Sequence, residues 1–208
     1  MITMRQGLAK RSALLLLVGC LCSGLLTGLA KPWKRHTIDS SSKAAGKLGA
    51  DGVRLADVNG DGLLDITTGW EQGGAIVVYQ NPGPANARAA WPSVTVGRVV
   101  SPEDAMFIDL DNDGNLDVVS SCEGSARTMY IHWAPPKRAD YWNPSAWRTE
   151  AIPATKGKQL WMFAAPARLD CRGADELFVS SKGGNASIGF LVRKDPDSLA
   201  RDAGGFEY

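Results

Sequence analysis

Hydrophobic and polar positions along this chain fall into short runs separated by turn residues. Gly52-Val53-Arg54-Leu55-Ala56, Ile66-Thr67-Thr68-Gly69 and Ala75-Ile76-Val77-Val78-Tyr79 are rich in β-branched or large apolar residues and are bounded by Gly, Asn and Pro. That is strand punctuation, and no helical period links the runs. The series returns as Ala105-Met106-Phe107-Ile108, Val118-Val119-Ser120-Ser121 and Thr128 to Trp133, and in worn form as Leu160 to Ala164, Leu177 to Ser181 and Ile188 to Val192. Each copy passes through a glycine-containing turn (Glu71-Gln72-Gly73-Gly74, Glu123-Gly124-Ser125-Ala126, Gly183-Gly184-Asn185-Ala186) and halts at Pro82, Pro135 or Pro196. Val94 to Val100 and Trp147 to Ile152 read as further, outer strands. The pattern predicts an all-β chain of repeated units of three or four strands.

Between the first and second strands of each unit lies an acidic loop. Asp57-Val58-Asn59-Gly60-Asp61-Gly62-Leu63-Leu64-Asp65 returns as Asp109-Leu110-Asp111-Asn112-Asp113-Gly114-Asn115-Leu116-Asp117. Both read D-x-[ND]-x-D-G-x-x-D. Carboxylates about 4 Å apart repel by roughly 4 kcal/mol per pair at an effective dielectric of about 20, so such a loop needs a cation or must splay. Oxygen ligands at positions 1, 3, 5 and 9, with glycine at 6 for the sharp turn, are how a chain wraps calcium. The alternative is a pair of Asx-turn loops capping local N–H groups; holding four Asp/Asn positions in the same register twice argues against it. An EF-hand is excluded: position 12 is Thr68 or Ser120 where a bidentate Glu is required, and the flanks are strands. Loop two carries Asp111 where loop one carries Asn59, and is expected to bind calcium more tightly. In the third copy, aligning Gly173 with Gly62 and Gly114 puts Arg168, Asp170, Arg172 and Glu176 at the ligand positions. Arginine there supplies positive charge internally, so this loop is expected to keep the shape without a metal.

The spacing from Asp57 to Asp109 is 52 residues, and from Asp109 to Arg168 it is 59. Several short strands per period of about 50 indicate β-propeller blades. Three blades, at about 49–100, 101–152 and 153–208, fall short of the four to eight that close a ring. Gly205-Phe206-Glu207-Tyr208 shows no closing strand, so the sequence reads as a fragment of a larger ring, in preference to association of copies or an open stack.

These loops and their flanking strands resemble the FG-GAP/VCBS repeats, the blades of integrin α N-terminal-like propellers and of many exported bacterial proteins, over about residues 50–196. The resemblance implies calcium ligands at Asp57, Asn59, Asp61, the Leu63 carbonyl and Asp65, and at Asp109, Asp111, Asp113, the Asn115 carbonyl and Asp117. It carries no metal over to the third copy. It also implies that calcium is structural and that partners bind elsewhere on the propeller faces.

The first thirty residues set the compartment. Arg5, Lys10 and Arg11 precede an uncharged, leucine-rich stretch from Ser12 to Leu26, and Gly28-Leu29-Ala30 offers a small-x-small cleavage site. This is an export signal over 1–30, followed by an N-terminal segment over 31–48. Leu17-Val18-Gly19-Cys20 also fits a lipobox, which would make Cys20 a membrane anchor; the apolar residues after it favour ordinary cleavage. The product is periplasmic, cell-surface or extracellular, where millimolar calcium suits sites of modest affinity. Cys122 and Cys171 remain, and two buried thiols are expected in preference to a disulfide. A net charge of +1 from 23 basic and 22 acidic residues leaves no nucleic-acid footprint. His36 and His132 accompany no catalytic motif, so no enzyme is expected. Six of the seven tryptophans (Trp70, Trp91, Trp133, Trp142, Trp147 and Trp161) lie near strand ends, where core packing is expected over glycan stacking. Pro135 to Pro144, aromatic and basic, is the best candidate for a partner surface. Two functions follow: an exported calcium-binding module for adhesion or scaffolding, with a protein or glycan partner, or part of a calcium-dependent polysaccharide-active enzyme whose catalytic residues lie outside this chain.

Overall fold

The computed structural model describes residues 33–169, 176–195 and 197–208. The proposed export signal with Cys20, and Asp170, Cys171, Arg172, Gly173 and Pro196, lie outside them. Of the two units of the chain, 1–35 and 36–208, the second carries the fold. It is all-β, with no α-helix among the described residues, and it has three antiparallel four-stranded sheets.

Sheet 1 contains β1 (Ala50–Ala56), β2 (Asp65–Trp70), β3 (Ala75–Tyr79) and β4 (Ser93–Arg98) in chain order. Sheet 2 repeats this with β5 (Pro102–Ile108), β6 (Asp117–Cys122), β7 (Met129–Trp133) and β8 (Arg148–Ala151). Sheet 3 has β9 (Leu160–Ala167), β10 (Glu176–Lys182), β11 (Ile188–Arg193) and β12 (Phe206–Glu207). Each sheet is thus an up-and-down meander of the kind propeller blades are made of, and the three form an open stack, not a closed ring. Phe206–Glu207, where the sequence shows no closing strand, forms the fourth strand of sheet 3 without closing a ring. Val192 and Arg193 pair with Glu207 and Phe206, and Phe206 is buried at 1% exposure.

The first strands of the sheets lie side by side, with β5 between β1 and β9. Asp104 pins them: its carboxylate, 1% exposed, receives Nε and Nη2 of Arg54 on β1 at 3.0 and 2.8 Å, and the N–H of Ala164 on β9 at 3.5 Å.

Strand alternation sends one set of side chains to each neighbour. Ile76 and Val78 of sheet 1 meet Ala105, Phe107 and Val118 of sheet 2; Val119, Met129 and Ile131 of sheet 2 meet Trp161, Leu177 and Leu191 of sheet 3. The outward face of sheet 1 is sealed by Trp70, Val77 and Tyr79 beneath the N-terminal segment. There the Tyr79 hydroxyl donates to Asp39 at 2.9 Å, and Lys47 reaches the same carboxylate at 2.6 Å. The outward face of sheet 3 is bare. Ile188, in the place that Ile76 and Met129 hold in their sheets, is 85% exposed where they are buried, and Phe178 and Phe190 are 42% and 49% exposed. Trp70, Trp133, Trp147 and Trp161 are buried, while Trp91 and Trp142 are half-buried against the core.

Candidate metal centre

Each acidic loop joins the first strand of its sheet to the second, and the two share the same framework of carboxylate-to-backbone bonds. At position 1, Asp57 Oδ1 accepts from Asp61 N at 3.2 Å and Oδ2 from Gly62 N at 2.8 Å. Asp109 repeats this with Asp113 N at 3.2 Å and Gly114 N at 3.0 Å. At position 3, Asn59 and Asp111 accept from Asp61 N and Asp113 N, and at position 5, Asp61 and Asp113 accept from Leu63 N and Asn115 N at 2.8 Å. Positions 4 and 6 are left-handed in both loops, as Gly60 and Gly62 in one and Asn112 and Gly114 in the other. A Cβ on Gly62 or Gly114 would meet nothing within 4 Å. Glycine is required at those two sites for its backbone angle and not for room.

Position 9 stands apart from the other three. Asp65 and Asp117, 0% and 1% exposed, open β2 and β6 and sit across from Ala56 and Ile108. One oxygen of each accepts from the loop, at Val58 N (3.0 Å) or Leu110 N (3.1 Å). The other accepts from the chain leaving the third strand, at Asn81 N or Ala134 N (both 2.7 Å). In the third copy Glu176 lies across from Ala167 and accepts from Leu169 N at 2.8 Å. Arg168 therefore occupies the place of Asp57 and Asp109, while the loop's interior lies outside the described residues.

The bonds at positions 3 and 5 are Asx-turn bonds, and together with those at positions 1 and 9 they would hold the loop shape alone. What they do not explain is the convergence of acids. Carboxylate oxygens of Asp109, Asp111 and Asp117 lie within 4.8 Å of one another. Burial pushes Asp117 up to about 7, its two N–H donors offset part of that, and the Asp111 charge adds to it. Burial likewise raises Asp111 and Asp65. A carboxylate oxygen that accepts one N–H has a second lone pair free, and three hard oxygens gathered in one place suit calcium. The residues therefore fit the ion. In loop one, Asn59 stands in for the third acid, and its Nδ2 donates to Asp61 Oδ2 at 3.0 Å. Leu63 is half-buried and Asn115 buried at position 7 of their loops.

Three arginines surround loop two. Arg138 donates to Gly114 O at 2.9 Å and to Asn59 O at 3.3 Å, so it ties both acidic loops together. Arg193 donates to Leu110 O at 2.6 Å, and Arg201 lies against the carboxylates of Asp111 and Asp113. The segment from Pro135 to Pro144, the candidate partner surface, gives part of itself to the core. Tyr141 is 1% exposed, packs edge-on against Trp142 and Trp147, and donates to Leu116 O at 2.9 Å.

A second acidic group escaped the sequence reading. Carboxylate oxygens of Glu71, Glu103 and Glu123 also lie within 4.8 Å of one another, and Lys182 sits 2.5 Å from Glu123 and 3.7 Å from Glu103. Burial, then the Glu123 carboxyl, raises Glu103 to about 7. The signal was present: six residues beyond Asp65, Asp117 and Glu176 stand Glu71, Glu123 and Lys182. His132 is enclosed between Ser120 Oγ and Thr149 Oγ1, each at 2.9 Å, at 0% exposure. Cys122 is a buried free thiol.

Residues 57–120 match the family model of the FG-GAP-like repeat. The match takes in both acidic loops and the strands between them. No curated protein matches the chain.

Proposed function

We propose, from the premise of that repeat, that this is an exported β-propeller-type module in which calcium is structural, bound at both acidic loops, and that it works by holding a protein or glycan partner and not by catalysis. One observation carries the calcium reading: the convergence of Asp109, Asp111 and Asp117 in a loop whose twin, Asp57 to Asp65, repeats its hydrogen bonds. In loop one, Asp57, Asn59, Asp61 and Asp65 would hold the ion, with the Leu63 carbonyl; in loop two, Asp109, Asp111, Asp113 and Asp117, with the Asn115 carbonyl. The ion would neutralise carboxylates that otherwise repel and would fix the crossing from the first strand to the second. Export rests on the basic, apolar and small-x-small pattern of residues 1–30, and the non-catalytic reading on the enclosure of His132, which has no open face toward a substrate.

Thermal denaturation tests it. At a hundredfold excess over its dissociation constant, each ion adds about 2.7 kcal/mol, so millimolar calcium is expected to raise the midpoint by several degrees and a chelator to reverse the rise. An identical midpoint in calcium and in chelator refutes the structural role.

A further inference from the structure

Loop two has one more carboxylate than loop one, which by charge alone makes it the tighter calcium site. The surroundings of the two loops differ. In loop one, position 3 is Asn59, and its own amide donates to the position-5 carboxylate, Asp61, at 3.0 Å. In loop two, position 3 is Asp111, which has no donor to give. A side chain ninety positions later brings a positive charge instead. Arg201, in the connection between β11 and β12, places Nε 3.4 Å from Asp111 Oδ2 and Nη1 3.7 Å from Asp113 Oδ2.

This guanidinium is held in place. Its Nη2 donates to the carbonyl of Ala134, the residue whose N–H is gripped by Asp117. Its plane lies over the Trp133 ring, 5.4 Å from the centroid, and the side chain is only 28% exposed. The other two cations at the loop differ in kind: Arg193 and Arg138 donate to the backbone carbonyls of Leu110 and Gly114 and leave the carboxylates free. Among the described ion pairs, none involves Asp57, Asp61 or Asp65.

We propose that Arg201 is a built-in counter-cation of the second acidic loop and sets its calcium affinity below that of the first. The inference rests on the calcium reading above. A fixed guanidinium lies 3.4 and 3.7 Å from oxygens at positions 3 and 5 that the ion needs, and its charge opposes entry of a divalent cation into the same low-dielectric corner. Arg168 in the third copy is the further step in this direction, an arginine written into position 1 of the loop itself.

The test is calorimetric titration of the calcium-stripped chain with calcium chloride. Asp61→Ala leaves only loop two competent, and Asp113→Ala leaves only loop one. In the Asp61→Ala background, Arg201→Gln, which keeps the stem over Trp133 and a donor for Ala134 but removes the charge, is expected to tighten binding by about tenfold or more. In the Asp113→Ala background the same change is expected to have a clearly smaller effect, since the ion pairs of Arg201 are with Asp111 and Asp113 of loop two and the influence of a charge falls with distance and screening. Arg201→Lys keeps the charge and is expected to stay near the parent, which a purely steric or packing role would not produce. Unchanged or weaker binding by loop two after Arg201→Gln overturns the inference while loop one still reports calcium. Absence of binding by either loop overturns the calcium reading and this inference with it.

Discussion

Asp65 and Asp57 sit in the same loop, and both would be calcium ligands, yet the structure gives them different work. Asp65 is fully buried, and its two oxygens accept the N–H groups of Val58 and Asn81. Replacing it with alanine leaves two backbone donors without their charged acceptor, and a hydrogen bond to a charged group contributes roughly 1.5–3 kcal/mol. Asp65→Ala should therefore cost roughly 3–6 kcal/mol before any metal is considered. For a domain of this size each kcal/mol moves the midpoint by roughly 2–4 °C, so the drop in chelator should be of the order of 10 °C. Asp57 is solvated and accepts only from N–H groups that water can also reach. Asp57→Ala should leave the chelator midpoint near wild type while removing much of the increment that calcium adds. Scanning calorimetry of both variants, each in chelator and in calcium, separates the two roles. Equal losses in chelator would refute the distinction between clamp and ligand.

The pH dependence of the metal-free chain should show opposed contributions. Asp117 and Glu103, raised to about 7, lend stability that is complete below their ordinary values of 3.8 and 4.5 and is lost as pH climbs to about 7. His132, lowered to about 3 by burial, lends stability that is present above 6.5 and is lost as pH falls toward 3. In chelator, His132→Gln should give a urea midpoint that declines from about pH 4 to pH 7, where wild type is flatter; a midpoint that rises over that range would contradict the assignment. Gly97 on β4 faces the His132 ring, which a Cβ would overlap, so Gly97→Ala should cost about 1–3 kcal/mol by urea denaturation, and an unchanged midpoint would show that the ring can move aside.

Much of the fold was legible because its signals are local. Four Asp/Asn positions and a glycine at fixed spacing within nine residues identify the loop, and runs such as Ala75 to Tyr79 identify strands. Phe206–Glu207 was not legible, since two residues cannot display a period; burial of Phe206 makes them a strand. The four acidic positions also looked equivalent in sequence, whereas the position-9 acid is a buried clamp fastened to the exit of the third strand by a bond sixteen or seventeen residues long in sequence. Arg201 was out of reach for the same reason: nothing within the connection after β11 reveals that it folds back onto Asp111. The Pro135–Pro144 segment looked free because its aromatic residues resemble a recognition surface, and only the packing shows that Tyr141 is spent on the core.

Glu71, Glu123 and Lys182 mark one place in three successive sheets, and only the third carries a positive charge there. Three sheets of one design could in principle trade positions during folding, because their strand orders and loop clamps are interchangeable. Charge forbids it. A second copy of sheet 2 in the third position would set a third carboxylate against buried Glu103, with no ammonium to receive it. The lysine thus marks sheet 3 apart from its two otherwise similar neighbours, and it does so at the end of the strands opposite the acidic loops, where charge is balanced within the chain.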